Sequence, residues 1–316
     1  MRLLLALLLS SCCFAARAWP DKPVRIVVAY PPGGGIDVMA RQIAEKLTPR
    51  WGQSVVVENR PGANTIVAAD AVAKSADGHT LLFTTDATFS INPHLYSKLP
   101  FDTQRDFVPV TMVVLLNQLL VAHPSLPADT LSQLISFAKQ NPGKVNYASY
   151  GSGSQPHLAG EMLKNKAGID LVHVPYKGIS LAVPAVIAGE VQLTFAGIAT
   201  STAPLKAGRI KALAIGGAQR SPLWPGVPTF TELGYPEVET HAWFGFFLPA
   251  GSPREAVTRM YQDTKKILEE PEFRQKQLID RGYEVVGSSP DEFSRYIVRD
   301  RESRGRAVKI SGAKAE

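Results

Sequence analysis

The chain has 316 residues, of which 45% are hydrophobic and 20% charged, and this composition excludes a disordered chain and a coiled coil. No apolar run reaches the roughly 20 residues that a membrane-spanning helix needs. The two cysteines, Cys12 and Cys13, are adjacent, so they cannot form a disulfide scaffold or a cysteine zinc site. The net charge is +6, from 34 basic and 28 acidic residues without a basic cluster, which gives nucleic-acid binding no support.

Residues 1–18 have the pattern of a secretory signal peptide. Arg2 precedes an apolar stretch, and Ala16-Arg17-Ala18 supplies a small-x-small cleavage site. Cleavage after Ala18 would remove Arg2 and Arg17, so that the charge falls from +6 to +4 (6 − 2), and it would also remove both cysteines. An alternative is a lipoprotein site in which Cys12 becomes the lipidated N-terminus. Both interpretations predict a periplasmic protein.

Strands and helices alternate through the next hundred residues. Strands are predicted at 24–30, 54–58 and 80–85, and helices at 36–47 and 66–74. The glycine-rich segment 31–35 separates the first strand from the first helix, and Pro49 is expected just past the end of that helix. This βαβαβ order predicts a parallel sheet with helices on its faces.

A long apolar strand at 108–122 leads into a second block of the same kind. Strands are predicted at 145–149, 171–174, 191–196 and 211–215, with helices at 131–139, after Pro156, and at 180–188, where Pro184 should lie near the first turn. A strand at 243–248 returns the chain to the first block, and helices follow at 254–268, 272–281 and 291–304. Chain crossings near 122 and 243 would form a hinge between two α/β lobes, with residues 19–121 plus 244–316 in lobe 1 and 122–243 in lobe 2.

Two glycine-rich turns between a strand and a helix are the main functional signal. They are residues 31–37, which contain Gly33, Gly34 and Gly35, and residues 149–155, which contain Gly151 and Gly153. Glycine lets a ligand approach the backbone closely, and the start of a helix presents unpaired N–H groups that suit a carboxylate or a phosphate. With one such loop in each lobe, a cleft between the lobes would hold an anion from both sides. The alternative is that both loops are structural turns.

Motifs of other functional classes do not match. Neither loop ends in the Gly-Lys-Ser/Thr of a P-loop, the second loop lacks the third glycine of a dinucleotide fingerprint, and no Gly-x-Ser-x-Gly elbow exists. The six histidines form no His-x-His or His-x-x-x-His pair, so a metal site has no local support, and no cofactor is expected.

Three further features have open interpretations. His157, in the first turn after the second loop, could reach a ligand or bridge the core. Asp86 follows strand 80–85 at its carboxyl end. Its carboxylate could accept a hydrogen bond from an ammonium or a hydroxyl of a ligand, or it could be a solvated or capping acid. The charged stretch 295–306 is expected to be the solvated face of a terminal helix, with docking to a partner as the alternative.

Motifs along nearly the whole mature chain resemble those of the Bug-type substrate-binding proteins of tripartite tricarboxylate transporters. They include Trp-Pro-Asp-Lys-Pro-Val-Arg at 19–25, Tyr-Pro-Pro-Gly-Gly at 30–34, Val-Glu-Asn-Arg-Pro-Gly-Ala at 57–63, Asp-Gly-His-Thr-Leu-Leu at 77–82, Gly-Ser-Gly-Ser at 151–154 and His-Val-Pro-Tyr-Lys-Gly at 173–178. The sequence departs from the family at Asn64 and Thr65, where Gly-Gly is frequent, at the bulky Tyr150, and near Ser303, where a tryptophan is usual.

The resemblance implies a two-lobed periplasmic binding protein of type II, with mostly parallel sheets, flanking helices and a hinged cleft that closes on a small carboxylate. It assigns the carboxylate clamp to two loops, through backbone N–H groups, hydroxyls and ordered waters. Its expected members are Tyr30, Gly33, Gly34 and Gly35 in the first loop and Ser149, Gly151, Ser152, Gly153 and Ser154 in the second. The rest of the pocket is expected to include Asn64, Thr65, Thr85 and Asp86, with His157 nearby.

We therefore expect a monomeric receptor, and no enzyme, that captures a small organic acid and delivers it to the permease subunits of a tripartite tricarboxylate-type transporter. One alternative is a sensor that docks on a signalling protein when loaded. Another is an enzyme acting on small carboxylates, which would need a nucleophile with a positioned base, or a metal. A structural envelope protein is the remaining alternative.

Overall fold

The computed structural model describes residues 19–238 and 240–313, so the predicted signal peptide and the alternative lipidation site at Cys12 lie outside the described residues. The strands of the described part are β1 (Val24–Val28), β2 (Val55–Asn59), β3 (Thr80–Thr85), β4 (Phe107–Ala122), β5 (Val145–Ser149), β6 (Leu171–Pro175), β7 (Leu193–Gly197), β8 (Lys211–Ile215), β9 (His241–Pro249) and β10 (Tyr283–Val285).

Helices connect these strands. They are α1 (Gly35–Trp51), α2 (Ile66–Ala73), α3 (Asn92–Leu95), α4 (Leu131–Gln140), α5 (Gln155–Ala167), α6 (Ile179–Ala188), α7 (Ile198–Lys206), α8 (Arg254–Glu269), α9 (Pro271–Phe273) and α10 (Pro290–Ser311). A π-helical turn, Ala87–Ile91, leads into α3, and a π turn and a 3-10 turn (Arg274–Leu278 and Ile279–Arg281) follow α9. In the described part of the chain, no helix combines the length and the apolar character needed to cross a bilayer.

The strands are joined in the order β2-β1-β3-β9-β4-β7-β5-β6, and β8 and β10 pair with β4. In the first half β1 pairs in parallel with β2 and β3, and in the second half β5 pairs in parallel with β6 and β7. The long strand β4 belongs to both halves: Phe107 to Asn117 pair with β9, and Gln118 to Ala122 pair with β7. Two parallel α/β units are therefore joined by antiparallel crossing strands.

Each half has its own hydrophobic core. In the first half α1 and α8 pack Ile43, Leu47 and Met260 against the sheet, and in the second half α4 and α5 pack Leu134 and Leu163. Other apolar clusters cover the opposite faces of both units. Burial on both faces explains why central strands such as β3 and β7 are buried at every position. The lobe boundaries given above stay a prediction.

Several predicted elements differ from the structure. Helix α1 continues to Trp51 with Pro49 inside it, because Trp51 is buried against Trp19 at 5.0 Å between ring centroids and donates to Asp263. Pro184 lies at the sixth of ten positions of α6 and not near its first turn. Helix α7 and strand β10 were not predicted, since α7 is rich in threonine and serine and contains a proline, and β10 has only three residues.

Candidate functional site

The carboxyl ends of the parallel strands face a cleft between the two halves. Its inner part is a cavity of about 70 Å³, and its wall includes Gly34, Thr85 and Asp86 from the first half and Tyr150, Ser180 and Thr200 from the second. Its outer part, of about 440 Å³, includes Asn64, Thr65, Gly151, Ser152 and Tyr176. Open α/β sheets place ligands at this end of their strands.

The two predicted glycine loops line this cleft from opposite halves, and each contacts the half across from it. A Cβ atom on Gly34 would lie 3.3 Å from Cγ2 of Ile179, and one on Gly178 would lie 3.0 Å from Cδ of Pro31. A Cβ atom on Gly153, in the second loop, would lie 3.2 Å from Nδ2 of Asn64 in the first half. The loops are thus close enough for one small ligand to touch both.

Four helices begin at the inner cavity. Their N-cap residues are Gly34 of α1, Ser154 of α5, Gly178 of α6 and Gly197 of α7, and none of these four has a side-chain capping hydrogen bond. First-turn residues of all four helices line the cavity: Gly35, Gln155, Ile179 and Thr200. Among the described lining residues there is no lysine, arginine or histidine. The positive ends of the helices therefore make this cavity suitable for an anion.

Two of these helix starts were not assigned to the site from the sequence, since the helix at 180–188 was predicted without a role in ligand binding and α7 was not predicted. Only the starts of α1 and α5 lie in conspicuous glycine-rich loops, whereas α6 and α7 begin after single glycines, Gly178 and Gly197. A single glycine between a strand and a helix is a signal, but it is also frequent in turns that bind nothing.

The first loop is held by Asp37. Its carboxylate accepts hydrogen bonds from the amide of Gly33 at 2.9 Å, from Asn59 Nδ2 at 2.9 Å and from Arg41 Nε at 3.1 Å. Burial raises the pKa of Asp37, but these hydrogen bonds outweigh that effect and hold the pKa below its usual value. The amide of Gly33, whose φ is +86°, therefore donates within the loop and does not face a ligand, whereas Gly34 and Gly35 line the cavity.

The second loop rests on a stacked pair of histidines, of which His157 is buried and His173 half-buried. The amide of Gly153 donates to Nδ1 of His157 at 2.9 Å, and the His157 ring stacks on His173 with centroids 3.9 Å apart. Burial lowers the pKa of His157, so its imidazole is neutral and can accept this bond. His157 therefore supports the loop from behind and is not part of the cavity wall.

The serines of this loop have different positions. Ser149 is fully buried, with Oγ 2.6 Å from Nε2 of His173, and Ser154 Oγ donates to the carbonyl of Gly151 at 2.6 Å. Both shape the loop from inside. Gly151 and Ser152 line the outer cleft, and Ser152 Oγ is buried without a hydrogen bond to any described residue.

Asn64 and Thr65 form one wall of the outer cleft. They follow Ala63 in a run of three non-glycine residues with positive φ, at 43°, 45° and 78°, a rare and strained conformation. Asn92 holds the run, because its Nδ2 donates to the carbonyl of Asn64 at 2.7 Å and its Oδ1 accepts from Asn64 Nδ2 at 2.7 Å. The Asn64 Oδ1 atom is buried without a hydrogen bond among described residues.

Two tyrosines separate the inner cavity from the outer cleft. Tyr30 and Tyr150 line both spaces, and the Tyr30 hydroxyl lies 3.1 Å from Oγ1 of Thr85, while the Tyr150 hydroxyl donates to the carbonyl of Phe195 at 2.5 Å. Burial raises the pKa of both phenols, so both stay neutral. The bulk of Tyr150 thus closes the inner cavity on the side of the second half.

Asp86 lies in the cavity wall and contacts a buried arginine. The side chains of Asp86 and Arg304 are 2% and 1% exposed, and Oδ2 of Asp86 is 3.5 Å from Nη2 of Arg304. Burial raises the pKa of Asp86 to about 7, against the opposing effect of Arg304. The expectation that stretch 295–306 is a solvated face is therefore wrong for Arg304, because α10 turns this residue towards Asp86 and Asp300.

A cleft between two α/β halves, lined by helix N-termini, defines the class of two-lobed solute-binding proteins. Residues 39–312 match the model of the tripartite tricarboxylate transporter family receptor. The chain belongs to this family.

Two relatives cover most of the chain. The UPF0065 protein in the tcbD-tcbE intergenic region of Pseudomonas sp. (strain P51) is 37% identical over 282 residues, which is 87% of this chain and 82% of the relative. Protein BugT of Bordetella pertussis is 34% identical over 302 residues, which is 95% of this chain and 92% of the relative.

Solved structures confirm the two-lobed α/β fold and the Bug-type family. Rpa4515 of R. palustris with adipate has a TM-score of 0.89 at 34% identity, covering 94% of this chain and 99% of that one. The periplasmic binding protein BugD has a TM-score of 0.88 at 29% identity, and the match covers 94% of this chain and 100% of BugD. MatC of Rhodopseudomonas palustris with bound malate has a TM-score of 0.86 at 29% identity, covering 92% and 100%.

Proposed function

We propose that this protein is a periplasmic receptor that encloses a small organic carboxylate between its lobes and passes it, chemically unchanged, to a tripartite tricarboxylate-type permease. The observation that carries the proposal is the convergence of four uncapped helix N-termini on one cavity. Related structures with adipate and malate support a carboxylate as the ligand class.

Backbone amides are proposed to bind the carboxylate. In α1 the first intrahelical bond runs from Val38 N–H to the Gly34 carbonyl, so the amides of residues 35–37 have no acceptor within the helix. In α5 the first such bond runs from Leu158 to Ser154, so the amide of His157 also has no acceptor within the helix, and Pro156 has no amide N–H. Amides from both halves would then grip one anion, and lobe closure would be coupled to binding.

The side chains in the proposed clamp are neutral donors. Tyr30 and Ser180 line the cavity, and their hydroxyls can donate to carboxylate oxygens, directly or through water, whereas the Thr200 hydroxyl donates to the Gly197 carbonyl at 3.0 Å. Because the clamp uses neutral groups and helix dipoles, it recognises a carboxylate without a buried lysine or arginine against it, and release needs only the opening of the cleft.

A screen of acids tests the proposal. Purified mature chain is heated with mono-, di- and tricarboxylates and with neutral amides of the same shape, and positive results are repeated by calorimetry. A ligand at about 100 times its Kd should stabilise the protein by about 2.7 kcal/mol. Stabilisation by acids but not by amides is expected, with the acid recovered unchanged by chromatography. Failure of all acids to bind, or their conversion to product, would contradict the proposal.

Delivery to a permease is tested in cells. Uptake of the identified acid is measured in a strain that lacks the receptor and in one that lacks the permease of its transporter. Loss of uptake in both strains is expected, and unchanged uptake without the receptor would contradict the transport role.

A further inference from the structure

Asp86 is the unusual member of the cavity wall. The rest of the wall favours negative charge, yet Asp86 is the one carboxylate among the described residues that line the inner cavity. A buried acid opposite a bound carboxylate is unfavourable unless it contributes something else. Its neighbours indicate what that contribution is.

The carboxylate of Asp86 is arranged as an acceptor. Burial disfavours its ionised form, whereas Arg304, whose Nη2 lies 3.5 Å from Oδ2, and to a smaller extent the nearby backbone N–H groups favour it. Even so, Oδ2 is buried and has no hydrogen bond from any described residue. Because Asp86 also lines the inner cavity, its carboxylate keeps unfilled acceptor capacity for a donor of the ligand.

The charge of Arg304 is already shared with another acid. Arg304 Nε lies 3.4 Å from Oδ1 of Asp300, and Asp300 also accepts from Trp243 Nε1 at 2.9 Å. These contacts, with His241 Nε2 3.7 Å from Oδ1, outweigh burial and lower the pKa of Asp300 to about 2. When Asp86 is ionised, the group of two acids and one arginine has a net charge of −1. A positive or hydrogen-bond-donating group is what this corner of the cavity lacks.

Resting on the proposed function, we propose that Asp86 is a specificity-determining residue that accepts a hydrogen bond from a hydroxyl or an ammonium of the ligand, and that Arg304 is the positioning residue that holds its carboxylate. The ligand is then a hydroxy acid or an amino acid: its carboxylate lies at the helix N-termini and its donor at Asp86. A plain acid of the same length would leave the Asp86 acceptor unpaired, and sites built around a hydrogen bond reject such analogues.

Matched trios of acids test the proposal. Each trio contains a plain acid, its 2-hydroxy derivative and its 2-amino derivative, and the trios run from propionate up to adipate. Calorimetry on the wild-type protein should show that one substituted member binds at least about tenfold more tightly than its plain acid. Asp86→Ala should remove that preference, and Asp170→Asn, a change of an exposed acid in the second half, should leave it intact.

The variant Asp86→Asn separates the two donors. Asparagine keeps a carbonyl acceptor but has no charge, so it should retain the preference for a hydroxyl and lose about tenfold or more against an ammonium. Arg304→Met should weaken the same preference and Arg304→Lys should restore part of it. If Arg304→Met does not fold, as judged by its thermal transition, the Asp86 variants decide the matter.

The pH dependence of ligand affinity is a second test of the role of Asp86. Binding of an ammonium requires ionised Asp86, so the affinity should fall as the pH drops below about 7 in the wild type and not in Asp86→Asn. The ionisable groups around Asp86 are Arg304 and Asp300 of α10, Tyr30 after β1, Tyr283 of β10 and, beside Asp300, His241 of β9. Comparing the wild type with Asp86→Asn isolates the contribution of Asp86 from theirs.

Each outcome decides the proposal. Equal affinity for plain and substituted acids, or a preference that survives in Asp86→Ala, would overturn the role of Asp86 and leave the receptor function intact. Failure of every acid to bind would overturn both.

Discussion

At the scale of single residues, Gly34 is the point where the first loop approaches the opposite half. Its backbone, with φ −75° and ψ 162°, is open to any residue, but a Cβ atom would lie 3.3 Å from Ile179. We expect Gly34→Ala to keep the fold and to weaken ligand binding by about 1–3 kcal/mol, because the crowded contact opposes closure. Calorimetry measures this, with Gly226→Ala as the matched control, since a Cβ there meets no atom within 4 Å. Equal affinity in both variants would show that the first loop is only a turn.

Asp86 also predicts how stability depends on pH. Its pKa is about 7 in the folded protein and 3.8 in the reference state, so the folded protein holds this proton more tightly, and stability is lost as the pH rises between these values. Asp86→Asn should therefore raise the free energy of unfolding by about 2–4 kcal/mol at about pH 8 and by little at about pH 4. Urea unfolding at both pH values measures this, and a destabilised variant at the higher pH would mean that the ion pair with Arg304 outweighs burial.

At the scale of elements, the N-terminus of α7 tests whether the helix ends attract the ligand. Gly197 is the N-cap of α7 and lines the cavity. Gly197→Asp and Gly197→Asn add side chains of nearly the same size, and both should cap the helix. The affinity of the aspartate variant for an acid should be at least about tenfold lower than that of the asparagine variant. This difference in affinity should become smaller as salt is added. Identical affinities would show that charge at this helix end does not matter.

The sequence predicted the elements of the site better than their contacts. Loops 31–37 and 149–155 were found because clustered glycines between an apolar strand and an amphipathic helix are a strong local pattern. The roles within them depend on tertiary contacts: His157 contacts His173 behind the loop, and Arg304 reaches Asp86 from 218 positions away (304 − 86). Periodicity along one helix cannot show that a charged residue is buried, because the partner that stabilises it lies on another element.

At the scale of the whole molecule, the two halves lie in contact across the cleft. Strands β4 and β9 are the crossings that would act as the hinge. We expect the protein to open without ligand, so that small-angle scattering shows a smaller radius of gyration at saturating acid than in its absence. Gly34→Ala should show a reduced change. An identical radius with and without acid would contradict closure.

The most direct test of the amide clamp is a crystal structure of the mature protein with its acid bound. We expect carboxylate oxygens within about 2.7–3.2 Å of backbone amides, or of waters held by them, from both α1 and at least one of α5, α6 and α7. A carboxylate bound by a lysine or arginine side chain, or by one half of the molecule alone, would contradict it.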